Sequence, residues 1–239
     1  SSTDEFFDEA RLTGFPQVIR TSRGHPLNQR AVARQYAKDC GRPYEELRLV
    51  VAHMGGGISV TTHCMGKMIE SIDSTRGEGR MAPTRSGAIP VADVINLCFS
   101  GEYTKEELLS KVMKTGGWTA HLGTSDAREV LRRVDEGDAF AELVLRTTAY
   151  QISKDIYACA ASLCGRVDAI LLTGGMAKAE RIVGLIKERV EALAPVVLYP
   201  GEYEMFAMAS GAIRVLDGLE QPLNYTGSDI DLSKFAQKK

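Results

Sequence analysis

Three short segments hold the residue types that can do chemistry: His53-Met54-Gly55-Gly56-Gly57-Ile58-Ser59, Thr84-Arg85-Ser86-Gly87 and Leu171-Leu172-Thr173-Gly174-Gly175-Met176. The first and third each follow an apolar run of strand type, residues 47–52 and 167–172. Glycines directly after a strand let main-chain N–H groups approach an anion with no Cβ in the way. One such loop is a weak signal. Two of them, with an arginine-bearing loop between, imply a nucleotide phosphate chain gripped mostly by backbone. Gly55, Gly56, Gly57 and Ser59 then belong to one wall of the site, and Gly174, Gly175 and Met176 to the other. The second pair of glycines ends a strand and opens a helix, which places phosphate or ribose near a helix N-terminus.

Each residue also has an ordinary structural reading. Arg85 in a Gly/Ser loop fits a surface ion pair, although its planar fork suits a phosphoryl or carboxylate group in a way lysine does not. His53 closes an apolar strand, a common place for a structural histidine, but three glycines in succession exceed what a tight turn needs. His25 precedes Pro26 and fits a helix cap as well as a catalytic role. His63 and His121 have no comparable context and are assigned structural roles. Asp126 and Arg128 also read as helix-terminal and surface charges. Glu204 also reads as a solvated carboxylate in a first helical turn, with Glu202 its alternative. Asp73 is an exposed-loop residue with no assignment. Met205, Phe206 and Met208 read as helix packing.

These residues need a scaffold, and the hydrophobic pattern supplies one. It predicts a helix over 27–38, strands over 47–52, 58–63 and 67–72 joined by hairpins, and an irregular loop over 71–90. Helices follow over 91–99, 104–113 (with Thr104 and Glu107 as a capping box), 126–134 and 138–163. The longest places Phe140, Val144, Ile152, Ile156 and Leu163 on one side. Strand 167–172, helix 177–193 with Ile182, Ile186, Val190 and Leu193 on one face, strand 195–199 and helix 202–216 complete the pattern. The order implies one layered α/β domain, a mixed five-stranded sheet flanked by helices, in which the last two strands join in parallel. The expected division is a connecting segment and helix over 1–40, a nucleotide-binding domain over 41–217 with a helical insertion over 91–136, and a loose tail over 218–239.

The 239 residues, 44% hydrophobic and 25% charged, fit a soluble globular protein with a substantial core. The formal charge of −2 contains no long basic block, so a nucleic-acid partner is not indicated. No apolar run approaches the ~20 residues of a membrane span. No secretory pattern opens the chain. Cys40, Cys64, Cys98, Cys159 and Cys164 are odd in number and scattered, which reads as reduced core thiols in a cytoplasmic protein. The chain starts Ser1-Ser2-Thr3 without Met, which fits an excised piece of a longer protein as well as a tail left by a removed tag.

The segments resemble, in order, the phosphate, arginine and adenosine motifs of the acetate/butyrate kinase family. HMGGGIS, TRSGAIP and TGGMAK are similar to the butyrate kinase branch, where acetate kinases read HLGNG, TRSGD-x-DP and TGGIGEN. His25-Pro26-Leu27-Asn28-Gln29-Arg30 is similar to the segment holding that family's second active-site histidine, with Gly24 in place of the usual Phe. Gly123-Thr124-Ser125-Asp126-Ala127-Arg128 resembles the adenine-side segment, and Glu202-Tyr203-Glu204-Met205 the acidic segment near magnesium. The likeness covers about residues 5–217.

The resemblance implies an actin-like ATPase (ribonuclease H-like) domain that binds ATP/ADP and Mg2+. It implies reversible phosphorylation of a short-chain carboxylate, butyrate or a branched-chain acid, to an acyl phosphate, by a homo-oligomeric full-length enzyme. His25, His53 and Arg85 are then catalytic, Glu204 the metal residue, and Asp126 and Arg128 nucleotide contacts. The family's opening strand and (Asn/Asp)-x-Gly-Ser-Thr-type loop do not precede His25, so the chain is expected to be the C-terminal portion of such a kinase. A carboxylate is already an anion at neutral pH and needs no general base. The protein's work is then positioning and charge stabilisation. Two other classes stay open: a sugar kinase or ATPase of the same superfamily, which requires a catalytic Asp, and a non-catalytic nucleotide-binding fragment.

Overall fold

A computed structural model describes residues 5–222. Its centre is a five-stranded sheet of β1 (Arg48–Met54), β2 (Ile58–Cys64), β3 (Lys67–Ser71), β4 (Ala169–Gly174) and β5 (Val196–Pro200), in the order β3-β2-β1-β4-β5. The first three strands form antiparallel hairpins, β4 lies parallel to β1, and β5 parallel to β4. β1 and β4 are continuous apolar runs because helices cover both of their faces. This is the mixed sheet that the sequence predicts.

Side chains alternate across the sheet, so each strand serves two cores. Val50, Ala52, Met54, Val60, Ile170 and Leu172 face α6 (Ala139–Ala161) and α7 (Glu180–Val190). Leu49, Val51, Ala169 and Leu171 face α1 (Pro26–Cys40) and pack on Val32 and Ala33. The same parity sends His53, Ser59, Thr61, His63 and Thr173 to the α1 face, all of them buried. A polar layer is thereby written into the strand period itself.

Between β3 and α6 lie a long loop and four helices: α2 (Val91–Phe99), α3 (Lys105–Met113), α4 (Gly117–Leu122) and α5 (Ala127–Asp135). Thr104 and Glu107 form the predicted capping box of α3. The loop is fastened to the core by two contacts from α6: Asp155 Oδ1 accepts from Arg80 Nε at 2.6 Å, and Gln151 Oε1 accepts from the Met81 amide at 2.9 Å. Asp155 is 3% exposed, and burial pushes its carboxyl above the usual range despite the Arg80 guanidinium. The last helix is α8 (Glu204–Leu216).

Four expectations change. Phe140 is 49% exposed rather than on the buried side of α6, because the buried stripe runs through Ala141, Val144, Leu145, Thr148 and Ala149 and leaves Phe140 off it. Met205, Phe206 and Met208 are exposed, since α8 lies at the rim and buries none of its residues. Asp73 is buried rather than exposed, folded over by its own loop. All five cysteines are free, but only Cys159 is a core thiol. Of the tail after Gly218, residues 223–239 lie outside the described residues. Glu220 reaches Arg34 at 2.5 Å and Arg214 at 3.0 Å. Among the described residues no helix is long and apolar enough to cross a membrane.

Candidate functional site

The parallel strands β1, β4 and β5 all point their carboxyl ends to one edge of the sheet, the edge where open α/β sheets bind ligands. His53 and Thr173 are register partners, so the two glycine loops emerge side by side. Gly174 makes this possible: its φ is +87°, and a Cβ there would stand 2.4 Å from the Met54 carbonyl oxygen. Gly174 also exchanges two main-chain bonds of 3.1 Å with Gly201, which brings the entry to α8 to the same edge.

In the first loop the Gly55 amide is taken up by the Gly57 carbonyl at 3.0 Å. Gly56 is exposed, and a Cβ on it would meet nothing within 4 Å. Gly57 is buried under the Arg85 guanidinium, whose Nη1 donates to Ser74 Oγ at 3.2 Å. Thr84 locks the two loops together, its amide and Oγ1 both donating to the Gly56 carbonyl, at 3.4 and 3.0 Å. The turn before Arg85 is closed by paired bonds between Ala82 and Arg85 and is tied to α4 through the Trp118 amide. Asp73 accepts from Thr75 and Arg76 and so holds the loop's entry.

His25 and His53 come from different elements and stack with ring centroids 3.8 Å apart and planes 16° from parallel. His25 stands at the N-cap of α1 but makes no side-chain cap bond; Pro26 at the first helical position removes one donor that would need it. Its Nδ1 instead meets Ser59 Oγ at 2.9 Å. Gly24 permits that approach, since a Cβ there would lie 3.1 Å from Ser59 Cβ. His53 Nδ1 meets Asn28 Oδ1 at 3.1 Å, and its Nε2 faces Gly55. Burial, with Arg85 nearby, lowers His25 to about 4. Burial, with His25 beside it, lowers His53 to about 3. Both rings are therefore neutral at pH 7.

Beneath them lies a layer that sequence reasoning missed. Asn28 and Gln29 are fully buried. Gln29 Nε2 donates to Ser59 O at 3.1 Å and Val51 O at 3.3 Å, and its Oε1 accepts from Thr61 Oγ1 at 2.7 Å. Thr173 Oγ1 lies 3.3 Å from both Asn28 Oδ1 and Gly201 O. Two adjacent amides directly after a proline-started helix turn were the available signal, since apolar residues normally fill that buried face.

The remaining predicted residues do not join this cluster. Asp126 caps α5, accepting from the Arg128 amide at 2.9 Å, and the Arg128 side chain folds back onto it. Met176 is 3% exposed in the core, so it offers a ligand only its main chain. Glu204 is exposed at the start of α8, and Gly175 is exposed at the rim. His63 is buried against the Tyr44 hydroxyl at 2.7 Å, which fits the structural role expected of it. Among the described residues no group of three or more His, Cys, Asp or Glu is placed to hold a metal ion. A groove of about 820 Å³ between α1 and α8, lined by Arg30, Arg34, Lys38 and Arg214, lies on the other side of α1.

Comparison with known proteins places the chain in a family. The model of the Acetokinase family matches residues 17–197. A probable butyrate kinase of Clostridium botulinum (strain Eklund 17B / Type B) is 48% identical over 223 residues, covering 93% of this chain and 63% of that protein. Butyrate kinase 2 of Clostridium acetobutylicum is 46% identical over 222 residues, covering 93% and 62%. The chain thus spans less than two thirds of the length of these relatives. In structure it is similar to Porphyromonas gingivalis acetate kinase, with a TM-score of 0.81 at 22% identity over 90% of this chain and 62% of that one. It is also similar to a ROK family protein of Streptococcus pneumoniae, with a TM-score of 0.51 at 11% identity over 80% and 65%. These likenesses give the fold, that of the actin-like ATPases. The motifs, their order and the family match lead to one placement: this chain belongs to the acetokinase family.

Proposed function

We propose that this chain forms the nucleotide side of a carboxylate kinase that transfers the γ-phosphoryl group of ATP to a short-chain carboxylate of the butyrate type, reversibly. The observation that supports this most is the meeting of His25, His53 and Arg85 beside two glycine loops at one sheet edge. The triphosphate lies across the exposed face of Gly56 and the start of the Gly174–Gly175 turn, with Asp126 and Arg128 toward the adenine. A carboxylate oxygen forms the new P–O bond as the bond to the β-phosphate oxygen breaks, and ADP leaves. No proton has to be removed from the acceptor. Asp73 is already committed to Thr75 and Arg76, so it is not placed as a base. Arg85 offsets the charge that builds on the transferring oxygens, and the imidazoles add directed hydrogen bonds. Removing one such donor typically costs 10²–10³-fold in rate. Magnesium supplies charge neutralisation between phosphates when bound.

The test is a hydroxamate trap for acyl phosphate, run with butyrate, ATP and magnesium, beside calorimetric titration with ATP and magnesium. Hydroxamate formation supports the reading. Nucleotide binding without hydroxamate assigns a binding role, and phosphorylation of a sugar hydroxyl instead assigns the rival kinase class.

A further inference from the structure

The stacked histidines raise a question of protons. Gln29 fixes one answer. Its Nε2 faces two main-chain carbonyls, Val51 and Ser59, which only accept, so the nitrogen is correctly placed; its two N–H groups are shared among those carbonyls and Ser59 Oγ at 3.2 Å, one of them as a three-centre bond. Ser59 Oγ therefore accepts from Gln29 and keeps its own proton for His25 Nδ1, 2.9 Å away. A hydroxyl has one proton and two lone pairs, so this use is complete.

Asn28 answers for the other ring. With Oδ1 toward His53 and Thr173, its fully buried Nδ2 has no partner. Thr173 Oγ1 has a main-chain acceptor in Gly201 O at 3.3 Å, so its proton is not needed by Asn28. Turning the amide over gives its two N–H groups two acceptors, His53 Nδ1 and Thr173 Oγ1, at the same positions. Every donor is then satisfied, and the group left over is a carbonyl oxygen. A buried orphan donor is rarer and more costly than an under-used carbonyl. Amide orientation is decided by such networks.

We propose that Asn28 and Ser59 are positioning residues that donate to Nδ1 of His53 and His25, holding both as neutral Nε2–H imidazoles whose donors serve the phosphoryl group. Neutral rings stack at 3.8 Å without charge repulsion. Burial, with the neighbouring ring or Arg85, favours the uncharged form of each. His53 Nε2 is directed at Gly55, where a built Cβ would lie 3.1 Å from it, so the donated proton points into the glycine loop. Arg85 is left as the full positive charge of the cluster. The phosphoryl role rests on the carboxylate-kinase reading above; the tautomers do not.

Nitrogen-15 NMR of the histidine side chains in the intact chain separates the cases. The expected spectrum at pH 7 shows both rings neutral, Nε2 protonated and Nδ1 in the far-downfield, unprotonated position. Asn28→Asp, which only accepts, should move the proton of His53 to Nδ1 and raise its pKa toward that of an ordinary histidine. With ATP and magnesium as the probe, affinity should fall about tenfold to a hundredfold, the worth of one charge-assisted bond. A wild-type His53 already protonated at Nδ1, or a tautomer unchanged in Asn28→Asp, overturns the proposal and leaves the kinase reading standing. Expected tautomers with ATP affinity unchanged in Asn28→Asp overturn the phosphoryl role. In Ser59→Ala the His25 signals should shift while those of His53 hold; unshifted His25 signals overturn the Ser59 assignment.

Discussion

Gly57 lies flat beneath Arg85: a Cβ on Gly57 would stand 2.1 Å from Nη1 and 2.5 Å from Cζ of the guanidinium. The arginine is thus placed by the absence of a side chain in the neighbouring loop. Gly57→Ala should displace Arg85 without unfolding the domain, because the guanidinium is the mobile end of a long side chain. Turnover of the full-length enzyme should fall by roughly 10²-fold, approaching that of Arg85→Ala. Circular dichroism should be unchanged. A Gly57→Ala enzyme with native turnover contradicts the assignment.

Gly56 makes the opposite case. A Cβ there meets nothing within 4 Å, so Gly56→Val should leave the urea midpoint within the range of a surface change, about 0.5 kcal/mol. ATP affinity should nevertheless drop at least tenfold, since the valine occupies the open face given to phosphate. Unaltered affinity in calorimetry rejects that face as the phosphate seat.

Three histidines make stability sensitive to acid. Burial is the main cause that lowers His53 and His63 to about 3 and His25 to about 4, with His25, Arg30 and Arg85 respectively adding to it. Below the unfolded value of ~6.5 the unfolded chain binds these protons and the folded chain does not. Stability is therefore full above pH ~6.5 and declines as pH falls toward 3, by up to about 1.4 kcal/mol per pH unit for each ring. Urea midpoints between pH 7 and 4 should show the slope, reduced by one ring's share in His63→Phe. An unchanged slope in that variant contradicts the account.

The Arg80–Asp155 pair fastens the arginine loop to α6. Asp155→Ala strands a half-buried guanidinium and should cost about 3 kcal/mol. Trp118, whose amide bonds to Ala82 of the same loop, is the chain's single tryptophan. Its emission should report the loosened loop in the folded variant, and an unchanged spectrum argues against the coupling.

The sheet was legible because its signal is periodic. β2 and α2 start where predicted, and β4 is shifted toward its glycines because the turn needs Gly174 at positive φ. α4 was not legible: six residues that open on Gly117 give too little periodicity, and the segment is set by main-chain bonds to Ala82 and Pro83. Gly24 departs from the resembling motif, and the structure explains it by the close approach of Ser59. Asn28 and Gln29 were passed over because their partners lie on β1, β2 and β4, and such contacts leave no mark in local spacing. Asp126 caps α5, as its helix-terminal reading expects, and its nucleotide role rests on the resemblance.

The most direct measurement is a crystal structure of this chain with ADP, magnesium and a phosphoryl mimic such as vanadate. The account predicts the mimic within hydrogen-bond distance of Arg85 and of Nε2 on His53, with the diphosphate along Gly56 and Gly175. Phosphates seated instead among Arg30, Arg34, Lys38 and Arg214, in the groove between α1 and α8, would contradict it.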